Sequence, residues 1–185
     1  MTLFVEEKIR LELSDQKFAA SLYKLIGDNR RHLAEFLPWV DNMQGVEDAR
    51  RYLQNCERLQ EDKKEVSFII FYEDEPAGRI GLHHLDLNNK IGSLGYWLAE
   101  YMEGKGIVTK SCSVLINFGF QQLSLNRIEI KAAVKNLRSQ AVPGRLHFQK
   151  EGILRQAEFV NNEFIDLFLF SLLKEDWQGE NPEPA

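Results

Sequence analysis

The sequence predicts a mixed α/β fold: an antiparallel meander joined to a parallel pair of strands, flanked by helices. Three observations carry this expectation. Val66 to Leu98 holds β-branched and aromatic runs separated by short polar turns, the pattern of consecutive antiparallel strands. Tyr96 to Phe120 passes from strand composition through a loop containing Gly104 and Gly106 into a helical stripe of Ile107, Val108, Ser111, Cys112, Leu115, Phe118 and Gly119. Asn126 to Val134 then returns as a strand, and a strand reached through a helical crossover lies parallel to its predecessor.

The elements follow in order. Ile9, Leu11 and Leu13 alternate with Arg10 and Glu12, as in a half-buried strand. A helix opens at Asp15, with Phe18, Leu22, Leu25 and Ile26 on one stripe. Gly27-Asp28-Asn29 interrupts it, and the pattern resumes through Leu33, Phe36 and Leu37 until Pro38 stops it. Val46 to Lys63 is helical, with Glu47 and Asp48 in the first turn, where the helix dipole favours acids. Strands follow at Val66–Tyr72, Arg79–Leu85 and Ile91–Leu98. After the crossover, Asn136 caps a short helix to about Leu146. Pro143 removes the backbone bond to the carbonyl of Ser139, so this helix is expected to bend, loosen or end early. Gly152–Val160 and Phe164–Leu173 form a closing hairpin around Asn161-Asn162. The expectation is one domain over residues 1–177 and a flexible polar tail over 178–185.

Composition excludes several classes. A formal net charge of −5 argues against coating a nucleic acid, which requires a basic face. The longest apolar run, Val66 to Tyr72, is far too short to span a bilayer. The first residues carry acids and no apolar core of a signal peptide, so a cytoplasmic, soluble protein is expected. Cys56 and Cys112 fall on apolar helix faces and read as packing residues. His83 and His84 face opposite ways on a strand, and no metal-ligand spacing occurs, so no metal is expected.

The Gly loop is the first candidate site. A strand that enters a helix through such a loop presents unpaired N–H groups, and these suit a phosphate or pyrophosphate. Two familiar motifs do not fit: there is no Gly-x-x-x-x-Gly-Lys-Ser/Thr, and the dinucleotide fingerprint lacks its third glycine and its acidic residue.

Glu103-Gly104-Lys105-Gly106-Ile107-Val108, with Asn136-x-x-Ser139, Leu146-His147-Phe148 and Glu151-Gly152, resembles the GNAT superfamily of N-acetyltransferases. Gly95 to Leu98, Asn136 to Val142, and Gln156-Ala157-Glu158 ahead of Asp166 are similar to the RimL/RimJ-type ribosomal-protein N-acetyltransferases. The resemblance runs from Ile9 to Leu173. It departs from the usual Gln/Arg-x-x-Gly-x-Gly/Ala loop at Glu103 and Val108, from Leu-Gly-Phe at His147, and at Pro143-Gly144. Glu103 is expected to point away from a bound pyrophosphate.

The resemblance implies a GNAT fold in which strands Ile91–Leu98 and Arg127–Val134 splay apart to admit the pantetheine arm of acetyl-CoA. The pyrophosphate then meets the N–H groups of Gly104, Lys105, Gly106, Ile107, Val108 and Thr109, and the arm meets the backbone of Trp97, Leu98 and Ala99. Asn136 and Ser139 border the cofactor, and Arg145 is a further candidate for its phosphates. An amine acceptor with a pKa of ~8 to ~10.4 must lose a proton before it attacks the thioester. Glu158 is the expected base and Ser139 the expected proton donor to the departing thiolate. Glu100, Glu129 and His84 are weaker candidates for the base. The acceptor pocket is expected from residues 28–41 and the last hairpin, with Tyr23, His32, Phe36 and Trp39. The implied acceptor is the N-terminal Ser or Ala amine of a ribosomal protein, and a homodimer is implied as well. The alternatives are a small-molecule or peptide-antibiotic acetyltransferase and a non-catalytic acyl-CoA-binding module.

Overall fold

The computed structural model describes residues 1–179, so most of the expected tail lies outside the described residues. The strands are β1 (Thr2–Glu6), β2 (Ile9–Leu13), β3 (Val66–Tyr72), β4 (Glu75–Asp86), β5 (Ile91–Leu98), β6 (Arg127–Ala133), β7 (Gln149–Val160) and β8 (Glu163–Leu173). The helices are α1 (Ala19–Asp28), α2 (Arg30–Ala34), α3 (Val46–Glu61), α4 (Ile107–Gln121) and α5 (Leu137–Arg145). The strands form one eight-stranded sheet in the order β1-β2-β3-β4-β5-β6-β8-β7. All neighbours are antiparallel except β5 and β6, which are parallel. This is the GNAT arrangement that the sequence led us to expect. Strand β1 was not anticipated. It is a short outer strand whose Leu3 and Val5 pack against the core.

Strand alternation assigns the two faces of the sheet. Phe68, Ile80 and Tyr96 are cross-strand partners on the face that α4 and α5 cover, and Phe118 of α4 meets Phe68 edge-on. Ile69, Arg79 and Trp97 share the other face, which α1 and α3 cover. There Arg79 is buried, 2.6 Å from Glu65, and its guanidinium lies over the ring of Tyr52. Tyr52 stacks on Trp39, and Trp39 leans on Trp97. A buried charge needs a partner, and Glu65 also accepts from His83 Nδ1 at 2.9 Å. Burial works to raise the pKa of Glu65, but the His83 hydrogen bond and the Arg79 charge outweigh it and hold the carboxyl at about 2. Glu65, Arg79 and the aromatic stack thus form a rigid floor beneath Trp97.

The break between α1 and α2 falls at Asn29, whose side chain replaces the backbone bonds lost there. Its Nδ2 donates to Leu25 O at 2.9 Å, and its Oδ1 accepts from the amide of Glu100 at 2.9 Å. One buried amide therefore fixes α2 against the start of the Gly loop. Cys56 and Cys112 are free and buried, and burial pushes both thiols up. That agrees with their reading as packing residues.

Candidate active site

The site begins where two strands part. β5 and β6 pair only at Ile91–Arg127, Gly92–Ile128 and Ser93–Glu129. Beyond that point β5 stays with β4 as far as Leu98, and β6 stays with β8 from Arg127 to Ala133. The interior edges of both strands face a gap, and a cavity of about 1050 Å³ opens there. Its lining includes Tyr96, Trp97 and Leu98 from β5, Gly104, Gly106 and Thr109 from the loop and helix start, Asn136 and Ser139 from the α5 end, and His32 and Phe36 from α2 and the turn after it.

At the loop, Gly104 and Gly106 take φ of +77° and +75°, a left-handed conformation that glycine adopts without steric cost. The first intrahelical bond of α4 runs from the amide of Lys110 to Gly106 O. Among the described residues, none of the N–H groups from Gly104 to Thr109 has a hydrogen-bond partner. These donors at a helix N-terminus fit a diphosphate. Lys105 offers only its backbone here, because its ammonium folds back over the ring of Tyr72 and onto Met102 Sδ.

The expectation for Trp97, Leu98 and Ala99 is narrowed. The amide of Ala99 donates to Ala77 O at 2.8 Å. A Cβ built on Gly78 would lie 2.2 Å from Trp97 O. Both backbones therefore face β4, and alternation turns the Leu98 backbone toward the gap. Trp97 reaches the cavity through its side chain instead.

Asn136 is an N-cap, accepting from the amide of Ser139 at 3.0 Å. The Ser139 hydroxyl has no partner among the described residues and belongs to the cavity wall. The helix that Pro143 was expected to loosen instead runs through it to Arg145. The carbonyl of Ser139 that Pro143 frees is taken up by Tyr96, whose hydroxyl donates to it at 2.9 Å.

Glu158 is not part of the cavity lining. It sits half-buried on β7, next to a bulge between Leu154 and Glu158. Burial raises its pKa above the ordinary carboxylate value. At the bulge the amide of Gln156 donates to Asp166 Oδ1 at 2.8 Å, so Asp166 sets the course of the chain into Glu158. The hairpin tip leans on the acceptor side, with Asn161 donating to the carbonyls of Ala34 and Glu35.

Among the other candidates, Glu129 pairs with Arg127 at 2.8 Å, while Glu100 and His84 are exposed. Arg145 borders the cavity, as do His32 and Phe36, but Trp39 and Tyr23 do not. Trp39 is held in the aromatic stack, and Tyr23 donates to Gln44 O. Glu103 was expected to point away from a bound pyrophosphate; its side chain borders the cavity, and its carboxylate is held by two partners. His32 Nε2 lies 3.2 Å from it and Arg138 Nη1 lies 3.0 Å away. No local sequence pattern announced this cluster, because its members come from three separate elements.

Residues 10–149 match the family described as the acetyltransferase (GNAT) domain, and the chain belongs to that family. It is an N-acetyltransferase, which sets aside the non-catalytic alternative. Its similar relatives include a putative ribosomal N-acetyltransferase of Bacillus subtilis, 38% identical over 97% of this chain and 98% of the relative. Another is the ribosomal-protein-serine acetyltransferase of Escherichia coli, 35% identical over 92% of this chain and 95% of the relative. A solved RimL ribosomal α-N-protein acetyltransferase in complex with coenzyme A superposes with a TM-score of 0.92. It is 27% identical and covers 95% of this chain and 99% of its own.

Proposed function

We propose that the chain transfers the acetyl group of acetyl-CoA to the N-terminal Ser or Ala amine of a ribosomal protein. The observation that carries the reading is the open junction of β5 and β6, with the free amides of Gly104 to Thr109 at its mouth. Two relatives with matching coverage are named for ribosomal substrates. When bound, acetyl-CoA supplies an acetyl group already activated as a thioester, so the chain itself has only to bind, orient and move protons.

The loop amides hold the diphosphate, and the Leu98 backbone aligns the pantetheine arm. Asn136 keeps the first turn of α5 in place, so that the Ser139 hydroxyl can deliver a proton to the departing sulfur. Glu158 takes the proton from the acceptor amine, directly or through a water. Its raised pKa brings it nearer to that of the amine, which favours the transfer. The acceptor enters beside His32 and Phe36. Ile153, Phe159 and Phe164 leave an exposed apolar strip on the β7–β8 hairpin, and we propose that it meets a second copy of the chain. A ribosomal substrate places the enzyme in the cytoplasm. No described helix is long and apolar enough to cross a membrane.

The test is a mass-spectrometric screen of N-terminal peptides from ribosomal proteins alongside polyamines and other small amines. Acetylation of Ser- or Ala-initiated peptides is the expected result. Turnover confined to small amines would overturn the ribosomal reading in favour of a small-molecule acetyltransferase.

A further inference from the structure

Glu103 poses an electrostatic problem. It directly precedes a loop whose free amides suit a dianionic group, and a carboxylate there opposes that group. The sequence pattern usual for such loops has Gln or Arg at this place. The structure supplies two partners for this carboxylate, an imidazole and a guanidinium, each from a different wall of the cavity. His32 of α2 is held at 3.2 Å with its side chain 17% exposed. Arg138, in the first turn of α5, is held at 3.0 Å with its side chain 68% exposed. All three residues border the cavity, and Glu103 is the only side chain to which Arg138 donates a hydrogen bond among the described residues.

Building on the acetyl-CoA reading above, we propose that Arg138 is a phosphate-binding residue that Glu103 holds in reserve. In the free enzyme Glu103 occupies the guanidinium. When the cofactor arrives, Arg138 leaves the carboxylate for the diphosphate, and Glu103 remains with His32. The asymmetry in exposure supports this direction. An exposed ion pair is weak and yields readily, whereas a diphosphate offers a guanidinium more charge and more acceptor oxygens in a fork geometry that suits it. His32 is more enclosed and stays with Glu103, so α2 remains tied to the loop while the cofactor is seated.

Calorimetry with acetyl-CoA, combined with steady-state turnover of S-acetylpantetheine, a donor without phosphate, tests the exchange. Arg138→Gln should raise the Kd for acetyl-CoA about tenfold and leave kcat/KM for S-acetylpantetheine unchanged. Glu103→Gln should lower the Kd for acetyl-CoA severalfold, because the competing carboxylate is gone. In the Glu103→Gln background, removing Arg138 should still cost about tenfold. Unchanged acetyl-CoA binding by Arg138→Gln would overturn the proposal. So would loss of the Arg138 effect in the Glu103→Gln background, since Arg138 would then only neutralise Glu103. An equal loss with the phosphate-free donor would likewise overturn it, by assigning Arg138 to the structure of the wall. Failure of the unmodified enzyme to bind acetyl-CoA would overturn the cofactor assignment itself, and this inference with it.

Discussion

The hydroxyl of Tyr96 donates to the carbonyl of Ser139 at 2.9 Å, the carbonyl that Pro143 leaves without its helical amide. A side chain from β5 thus completes a helix that follows β6, and it does so across the gap that forms the cavity. The bond satisfies the carbonyl that the buried proline frees within α5, and it ties β5 to the turn that carries Ser139.

Tyr96→Phe should therefore destabilise the fold by about 1–2 kcal/mol, the cost of an unpaired, partly buried carbonyl. It should also lower kcat more than it weakens acetyl-CoA binding. Pro143→Ala restores the missing amide, so the double variant should recover part of both losses. Denaturant unfolding and a double-mutant cycle on kcat provide the measurements.

His147 replaces the glycine of the Leu-Gly-Phe pattern that the sequence otherwise resembles. It has φ of +60° and ends α5: its amide donates to Gly144 O, and the amide of Phe148 donates to Pro143 O. This is a Schellman pairing, whose left-handed position favours glycine. His147→Gly should stabilise the protein by about 1 kcal/mol, visible as a higher denaturation midpoint, with acetyl-CoA affinity unchanged.

Glu158 should set the acid limb of the pH–rate profile. Its carboxyl must be ionised to accept a proton, and burial has raised its pKa. The rate should therefore climb with pH through a midpoint above the ordinary carboxylate value. Glu158→Gln should remove that limb and lower kcat by about 10²-fold or more, with the acetyl-CoA Kd little altered. Asp166→Asn should shift the limb without abolishing it, because Asp166 acts on Glu158 only through the bulge at Gln156.

Glu65 should make stability sensitive to acid. Its folded pKa is about 2, below the roughly 4.3 of an unfolded Glu. The folded state thus binds fewer protons, and the contribution is complete above about pH 4.3 and lost as pH falls toward 2. Glu65→Gln should flatten the unfolding free energy across that window. It should also cost about 3 kcal/mol at neutral pH, since Arg79 is left buried without its partner. Urea unfolding at several pH values would show both effects.

Local patterns made much of this protein legible. Alternation marked β2, β-branched and aromatic runs between polar turns marked β3 to β5, Gly104 and Gly106 marked the turn into α4, and Asn136 marked the α5 cap. Each is written within a few residues of chain. Strand β1 escaped because five residues with only Leu3 and Val5 inward give too short a pattern. Arg79 read as an ordinary strand residue, because the partner that makes its burial tolerable, Glu65, lies across a strand and a turn.

By itself, then, the sequence determined the order and type of the elements from β2 onward, the glycine loop and the family resemblance, because these depend on neighbours along the chain. Tertiary structure decided where β5 leaves β6, since that rests on the competing hold of β4 and β8. It also decided that Tyr96 mends the break at Pro143 and that Glu103 meets His32 and Arg138. Such contacts join residues far apart in the chain, and only the assembled sheet, with helices packed on both faces, brings their side chains within bonding distance.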